Sequence, residues 1–84
     1  MPSHRMIWAE LAERQYLDLP DSARDRADRL LAELEHTPTE VPGAVYDQAA
    51  DHWTPPFGDF SFILYAVAPD RPTVIILRIV HLED

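Results

Sequence analysis

The feature that most constrains this chain is its ending: two strongly strand-forming runs, residues 60–68 and 73–82, separated by Pro69-Asp70-Arg71-Pro72. Both runs are rich in β-branched and aromatic side chains, and the Pro-Asp-Arg-Pro segment reads as the turn of an antiparallel hairpin. Strict alternation places Thr73, Ile75, Leu77, Ile79 and His81 on one face of the last strand. It places Val74, Ile76, Arg78, Val80 and Leu82 on the other. In the preceding strand, Phe60, Phe62, Leu64 and Ala66 oppose Ser61, Ile63, Tyr65 and Val67. Both faces are therefore largely apolar. A helical layer shields one of them. The second requires the mid-chain loop, a second copy, or another protein.

The helical layer is found upstream. Residues 5–8 read as a short opening strand, and Trp8, Leu11, Ala12, Tyr16 and Leu19 then recur at helical spacing. Leu19-Pro20 interrupts this stripe, because the proline ring drives the preceding residue out of the helical region. Asp21 or Ser22 is expected to cap a second helix over residues 22–35, with Ala23, Ala27, Leu30, Leu31 and Leu34 as its buried stripe. Its outward charges suit ion pairs of Asp25 with Arg29 and of Arg29 with Glu33. Thr37-Pro38 ends that helix. Residues 37–58 read as irregular, with a weak strand at 47–53. The expected fold is α+β: a short N-terminal strand, an antiparallel helical hairpin, then a small antiparallel sheet of about three strands, in one domain over residues 1–84.

Charge excludes several function classes. Fifteen acids oppose seven bases, giving a formal charge of −8, and every base is arginine. Such a field repels nucleic acid at long range, so a generic cationic binding module is excluded. With no cysteine, disulfide frameworks and thiolate zinc sites are excluded as well. The four histidines, at positions 4, 36, 52 and 81, show no metal-ligand spacing. Neither a metal nor another cofactor is expected. The N-terminus lacks a signal-peptide core, and no run approaches a membrane span, so the expected location is cytoplasmic.

Four local features, in order, resemble the RelE/ParE superfamily of bacterial toxins. They are Leu19-Pro20 leading into an arginine-bearing helix; Thr37-Pro38 after it; Gly58-Asp59-Phe60 opening a strand that reaches Tyr65-Ala66-Val67; and the run from Val74 through Ile75, Ile76, Leu77, Arg78, Ile79 and Val80 to His81. The resemblance spans nearly the whole chain. It implies a type II toxin–antitoxin component that inhibits growth through the translation machinery or DNA gyrase and is restrained by a cognate antitoxin. An antitoxin would supply the cover that a doubly apolar sheet wants, through Ile63, Val74, Ile76 and Val80. A homodimer through the same face is the alternative cover.

The chain departs from the nuclease branch of that family. An arginine expected shortly after Gly58-Asp59 is replaced by Ser61, or by Phe62 if the alignment is anchored at Tyr65. The loop between His36 and Phe60 has no arginine or lysine, and the chain ends in Glu83-Asp84. Metal-free RNA cleavage needs a base, an acid and cationic support for the phosphorane. The candidates are His81, Arg78 and Tyr65, with His52 behind them. His81 and Arg78 have opposite parity, so they share a face only across a bulge, and Arg78 is as well suited to pairing with Asp59 or Glu83. Arg24, Arg26 and Arg29 form a cluster that could follow a phosphate backbone, although Asp25 and Asp28 interleave with it. Three readings follow: a toxin acting by binding, a catalytically silent scaffold of the same fold, and a ribosome-dependent mRNA endonuclease.

Overall fold

Burial of the C-terminal hairpin dictates the architecture. A computed structural model of the 84-residue chain describes residues 4–68 and 73–82. The expected turn at Pro69-Asp70-Arg71-Pro72 and the Glu83-Asp84 end lie outside the described residues. Eight elements follow in order: β1 (Arg5–Trp8), α1 (Glu10–Leu17), α2 (Asp21–His36), β2 (Val45–Asp47), β3 (His52–Thr54), β4 (Pro56–Gly58), β5 (Ser61–Ala68) and β6 (Thr73–His81). They build one sheet in the order β1-β6-β5-β3-β2, with β4 also paired to β5. The class is the expected α+β. The sheet has six strands rather than about three, and it is mixed, because β1 runs parallel to β6.

The helices lie where the periodicity places them, with two differences. α1 starts at Glu10, so Trp8 belongs to β1 and Leu11 is 48% exposed rather than part of the buried stripe. Trp8 instead meets Tyr16 edge-on, with ring centroids 5.4 Å apart. α2 starts at Asp21, with Pro20 as its N-cap and no side-chain cap hydrogen bond, so neither Asp21 nor Ser22 caps it. Asp21 contributes its charge to the first turn, where the exposed N–H groups favour an anion. Ala23, Ala27, Leu30 and Leu34 are buried as expected, and Leu31 is half-buried. Neither expected ion pair of Arg29 forms. Among the described residues the helix pair that forms is Arg14 with Glu10, at 3.2 Å on the surface. Exposed pairs of this kind contribute only a few tenths of a kcal/mol, about 0.3–0.5, and solvation competes with them easily.

The segment read as irregular contains a hairpin. The turn Val41-Pro42-Gly43-Ala44 closes on an Ala44 N–H to Val41 carbonyl bond, with Gly43 at φ +78°, a value that favours glycine. The Asp47 carboxylate accepts the backbone N–H groups of Ala49 and Ala50, and Asp51 adopts φ +57°. That Asx turn folds residues 47–52 back on themselves. The strand expected at 47–53 is thus the loop and flanks of the β2–β3 pair, with Tyr46 opposite Trp53 and their rings 4.7 Å apart.

The core lies between the helices and one face of β5 and β6. Ile63, Tyr65, Val74 and Ile76 have no exposed surface, and Ile79 is 2% exposed. The β5–β6 ladder pairs Tyr65 with Ile76 but Leu64 with Arg78, leaving Leu77 as an extra residue in a β-bulge. The bulge inverts the alternation. Val74 and Ile76 face the core before it, and Ile79 does after it, so strict parity over β6 fails at Leu77. No helix among the described residues is long and apolar enough to cross a membrane.

Candidate functional site

Ser61, His81 and Arg78 lie where β5 opens and β6 closes. Ser61 and His81 face each other across the two strands, and Ser61 Oγ lies 2.7 Å from His81 Nδ1. Ser61 is 4% exposed. It is a buried hydroxyl whose partner is a half-buried imidazole, as a buried polar group requires. From α2, Arg26 reaches over β4 and donates its Nε–H to the Phe57 carbonyl at 3.0 Å. Arg26 Nε and Ser61 Oγ both lie within 3.6 Å of the position a Cβ on Gly58 would occupy, so the guanidinium and the Ser61–His81 pair are neighbours.

Beside this pair is an open hollow of about 570 Å³, lined by Gln15, Asp18, Leu19 and Pro20 on one wall and by Arg78, Ile79, Val80 and His81 on the other. It exists because β1 pairs with β6 only from Thr73 to Ile76. Beyond that point no strand among the described residues pairs with the outer edge of β6. Gln15 blunts it by accepting the Ile79 N–H at 2.8 Å through Oε1, one of the ways proteins keep a strand edge from recruiting another chain.

The residues expected to carry chemistry are divided by this geometry. His81 and Arg78 both line the hollow, although they project from opposite faces of β6 because both follow the bulge. Arg78 is exposed, and no ion pair among the described residues joins it to Asp59. Tyr65 is elsewhere: it is wholly buried, and its hydroxyl donates to the Pro38 carbonyl. Burial pushes that hydroxyl up to about 12 from the usual 10.0, and no substrate reaches it. Tyr65 is a core residue that ties β5 to the end of α2.

The expected binding residues are likewise redistributed. Ile63, Val74 and Ile76 lie under the helices, fully buried, so they form no free face, and Val80 alone of that set is on the other side. The bulge and the helical cover are the physical reasons. The opposite face carries Phe62, Leu64, Ile75 and Val80, each half-buried. The three α2 arginines form no track. Arg24 lies 5.6 Å over the Tyr16 ring and donates Nη2–H to the Leu17 and Leu19 carbonyls, closing the end of α1. Arg26 holds Phe57, and Arg29 is exposed. His52 is half-buried in β3, away from β6.

Two contributors were not anticipated as such. Ser61 is the partner of His81, which a lone hydroxyl in an otherwise apolar strand could have signalled. Gln15 blocks the β6 edge, which nothing local could have signalled. Among the described residues no group of three or more His, Cys, Asp or Glu is placed to hold a metal ion.

No protein-family model matches the sequence, and no curated protein does. Solved structures do match. Similarity to the toxin–antitoxin complex RelBE2 from Mycobacterium tuberculosis reaches a TM-score of 0.77 at 20% identity, covering 95% of this chain and 99% of the other. The fold is that of the RelE and ParE toxins. The YoeB/ParE toxin from Agrobacterium tumefaciens gives a TM-score of 0.78 at 10% identity, over 94% of this chain and 99% of that one. The archaeal RelE–RelB complex from Pyrococcus horikoshii OT3 gives 0.74 at 18%, over 94% and 93%. The RelE/ParE fold therefore spans nearly the whole of this chain.

Proposed function

We propose that the chain is the toxin-like component of a type II toxin–antitoxin pair, one that inhibits growth by binding the translation machinery or DNA gyrase and is restrained by a cognate antitoxin. The observation that carries this reading is the end-to-end agreement with RelE/ParE toxin structures, several of them complexes with an antitoxin. Binding is favoured over strand cleavage by the charge of −8, by Ser61 or Phe62 at the place of an expected arginine, and by the burial of Tyr65. Induction in a bacterial host without its neighbouring gene is expected to arrest growth, and co-expression of that gene to restore it. Unimpaired growth at good soluble expression would overturn the toxin reading and leave the catalytically silent scaffold in its place.

A second reading, ribosome-dependent mRNA cleavage, has one observation in its favour: Arg78 and His81 line the same hollow. There an imidazole could move a proton while a guanidinium supports a developing anion. Primer extension on translating ribosomes distinguishes the two. New 5′ ends that vanish in His81→Ala, with the thermal melt intact, favour cleavage; growth arrest with no new ends favours binding.

A further inference from the structure

Away from β6, two hollows abut on the α1–α2 side of β1, and they share Trp8 and Leu31. One, of about 330 Å³, has Met6, Trp8 and Leu31 as its floor. The other, of about 370 Å³, is walled by Tyr16 and Leu17. Together they form one apolar groove. Met6, Trp8, Tyr16 and Leu31 are half-buried along it, and Leu17 stands 60% exposed at one end.

Its rim is one-signed. Glu13, Asp28 and Glu35 line the groove, and among the described residues no arginine does. Arg24, beside Tyr16, is already committed to that ring and to the Leu17 and Leu19 carbonyls. Asp28 is held in place by accepting the Tyr16 hydroxyl at 2.6 Å. Tyr16 is raised above its ordinary value, first by that bond and then by burial, so the hydroxyl stays the donor in the pair and Asp28 stays anchored at the groove.

We propose that this groove docks a basic amphipathic helix, whose apolar stripe lies over Trp8 and Leu31 and whose lysines or arginines meet Glu13, Asp28 and Glu35. The charge pattern selects this occupant over others. A second copy of the chain brings −8 of its own and is repelled, as is nucleic acid. An apolar floor with an acidic rim is the complement of a helix with anchors at i, i+3, i+4 and i+7 and a cationic flank. The inference rests on the proposed function only for the claim that the antitoxin carries such a segment; the groove's preference for a basic helix stands on the surface itself.

The test uses the full chain and a labelled Leu/Lys amphipathic peptide of about 18 residues, long enough to hold a helix, with fluorescence anisotropy as the readout. Its Leu/Glu counterpart and a Leu/Lys peptide scrambled to abolish the stripe serve as comparisons. The Leu/Lys helix is expected to bind at least about tenfold more tightly than either, a difference of about 1.4 kcal/mol. The triple variant Glu13→Gln, Asp28→Asn, Glu35→Gln is expected to lose about tenfold, and Leu17→Ser several-fold. Glu33→Gln, Glu40→Gln, Asp59→Asn, which removes the same charge elsewhere, is expected to change binding less than about twofold.

Equal loss in the two triple variants, or equal binding of the Leu/Glu peptide, would overturn the proposal. Amide shift mapping on the unmutated chain guards against a variant that misfolds: changes centred on Met6, Trp8 and Leu31 support the groove, and changes centred on β5 and β6 refute it. A chain that arrests growth but ignores the lysine peptide refutes the groove and leaves the toxin reading. One that binds the peptide without arresting growth does the reverse.

Discussion

Ser61 and His81 close the far end of the β5–β6 ladder, with Ser61 Oγ 2.7 Å from His81 Nδ1. The two strands thus hold a hydroxyl and an imidazole in contact where β5 begins and β6 ends. The contact is structural in its immediate effect, because Ser61 is buried and a hydroxyl without a partner there would carry a desolvation cost. It also fixes the ring that faces the hollow at the β6 edge.

Ser61→Ala is therefore expected to cost about 1 kcal/mol, the net worth of an ordinary hydrogen bond. In a domain of this size that lowers the melting temperature by roughly 4–8 °C. Differential scanning calorimetry on the two proteins measures it. An unchanged melt would mean that the pair contributes nothing to folding.

Burial of Tyr65 makes stability depend on pH in the alkaline range. Its folded value is pushed up to about 12 from 10.0. Above pH 10 the unfolded chain releases this proton while the folded chain retains it, so stability present below pH 10 is lost as pH rises toward 12. Urea midpoints between pH 8 and 11 are expected to fall less steeply in Tyr65→Phe than in the unmutated chain. At neutral pH the same variant is expected to be less stable by about 1–3 kcal/mol, because the buried Pro38 carbonyl loses its donor.

The face inversion at Leu77 makes neighbouring substitutions in β6 behave very differently. Ile76→Ala empties a fully buried site and is expected to cost about 2–5 kcal/mol, enough to unfold much of so small a domain. Arg78→Ala, two residues on and exposed, is expected to stay within about 0.5 kcal/mol. Equal effects in chemical denaturation would refute the bulged register.

The arginines of α2 should separate by role rather than by charge. Arg24→Ala removes two bonds to the end of α1 and the contact with Tyr16, at an expected cost of about 1.5–3 kcal/mol. Arg29→Ala, exposed and without an ion pair among the described residues, is expected to stay within about 0.5 kcal/mol. Thermal melts of the two variants make the comparison.

Much of this architecture is legible in local chemistry. The stripe Ala23, Ala27, Leu30 and Leu34 repeats at the helical period, and that period is the geometry by which α2 meets the sheet. Leu19-Pro20 and Thr37-Pro38 punctuate the helices because proline constrains its own residue and its predecessor wherever it stands. The β2–β3 hairpin was missed because its signal is a side chain, Asp47, accepting backbone N–H groups two and three residues on. Composition alone gives no hint of that. Of the site, His81 and Arg78 were visible as residue types. Their sharing of a hollow was not, because it depends on where a strand from the other end of the chain stops.

The sequence by itself determined the class of structure, the breaks between elements, the acidic field and the absence of thiol chemistry, all of which follow from residue type and spacing. Tertiary structure decided which apolar face is inside. One extra residue at Leu77 inverts the alternation of β6, and the helices then bury Val74, Ile76 and Ile63 rather than leave them to a partner. It also decided that Tyr65 is a post in the core, that Gln15 guards the β6 edge, and that Glu13, Asp28 and Glu35 gather around Trp8 and Leu31. Such placements depend on pairings between distant segments, Ile79 with Gln15 and Tyr65 with Pro38, whose geometry no local pattern encodes.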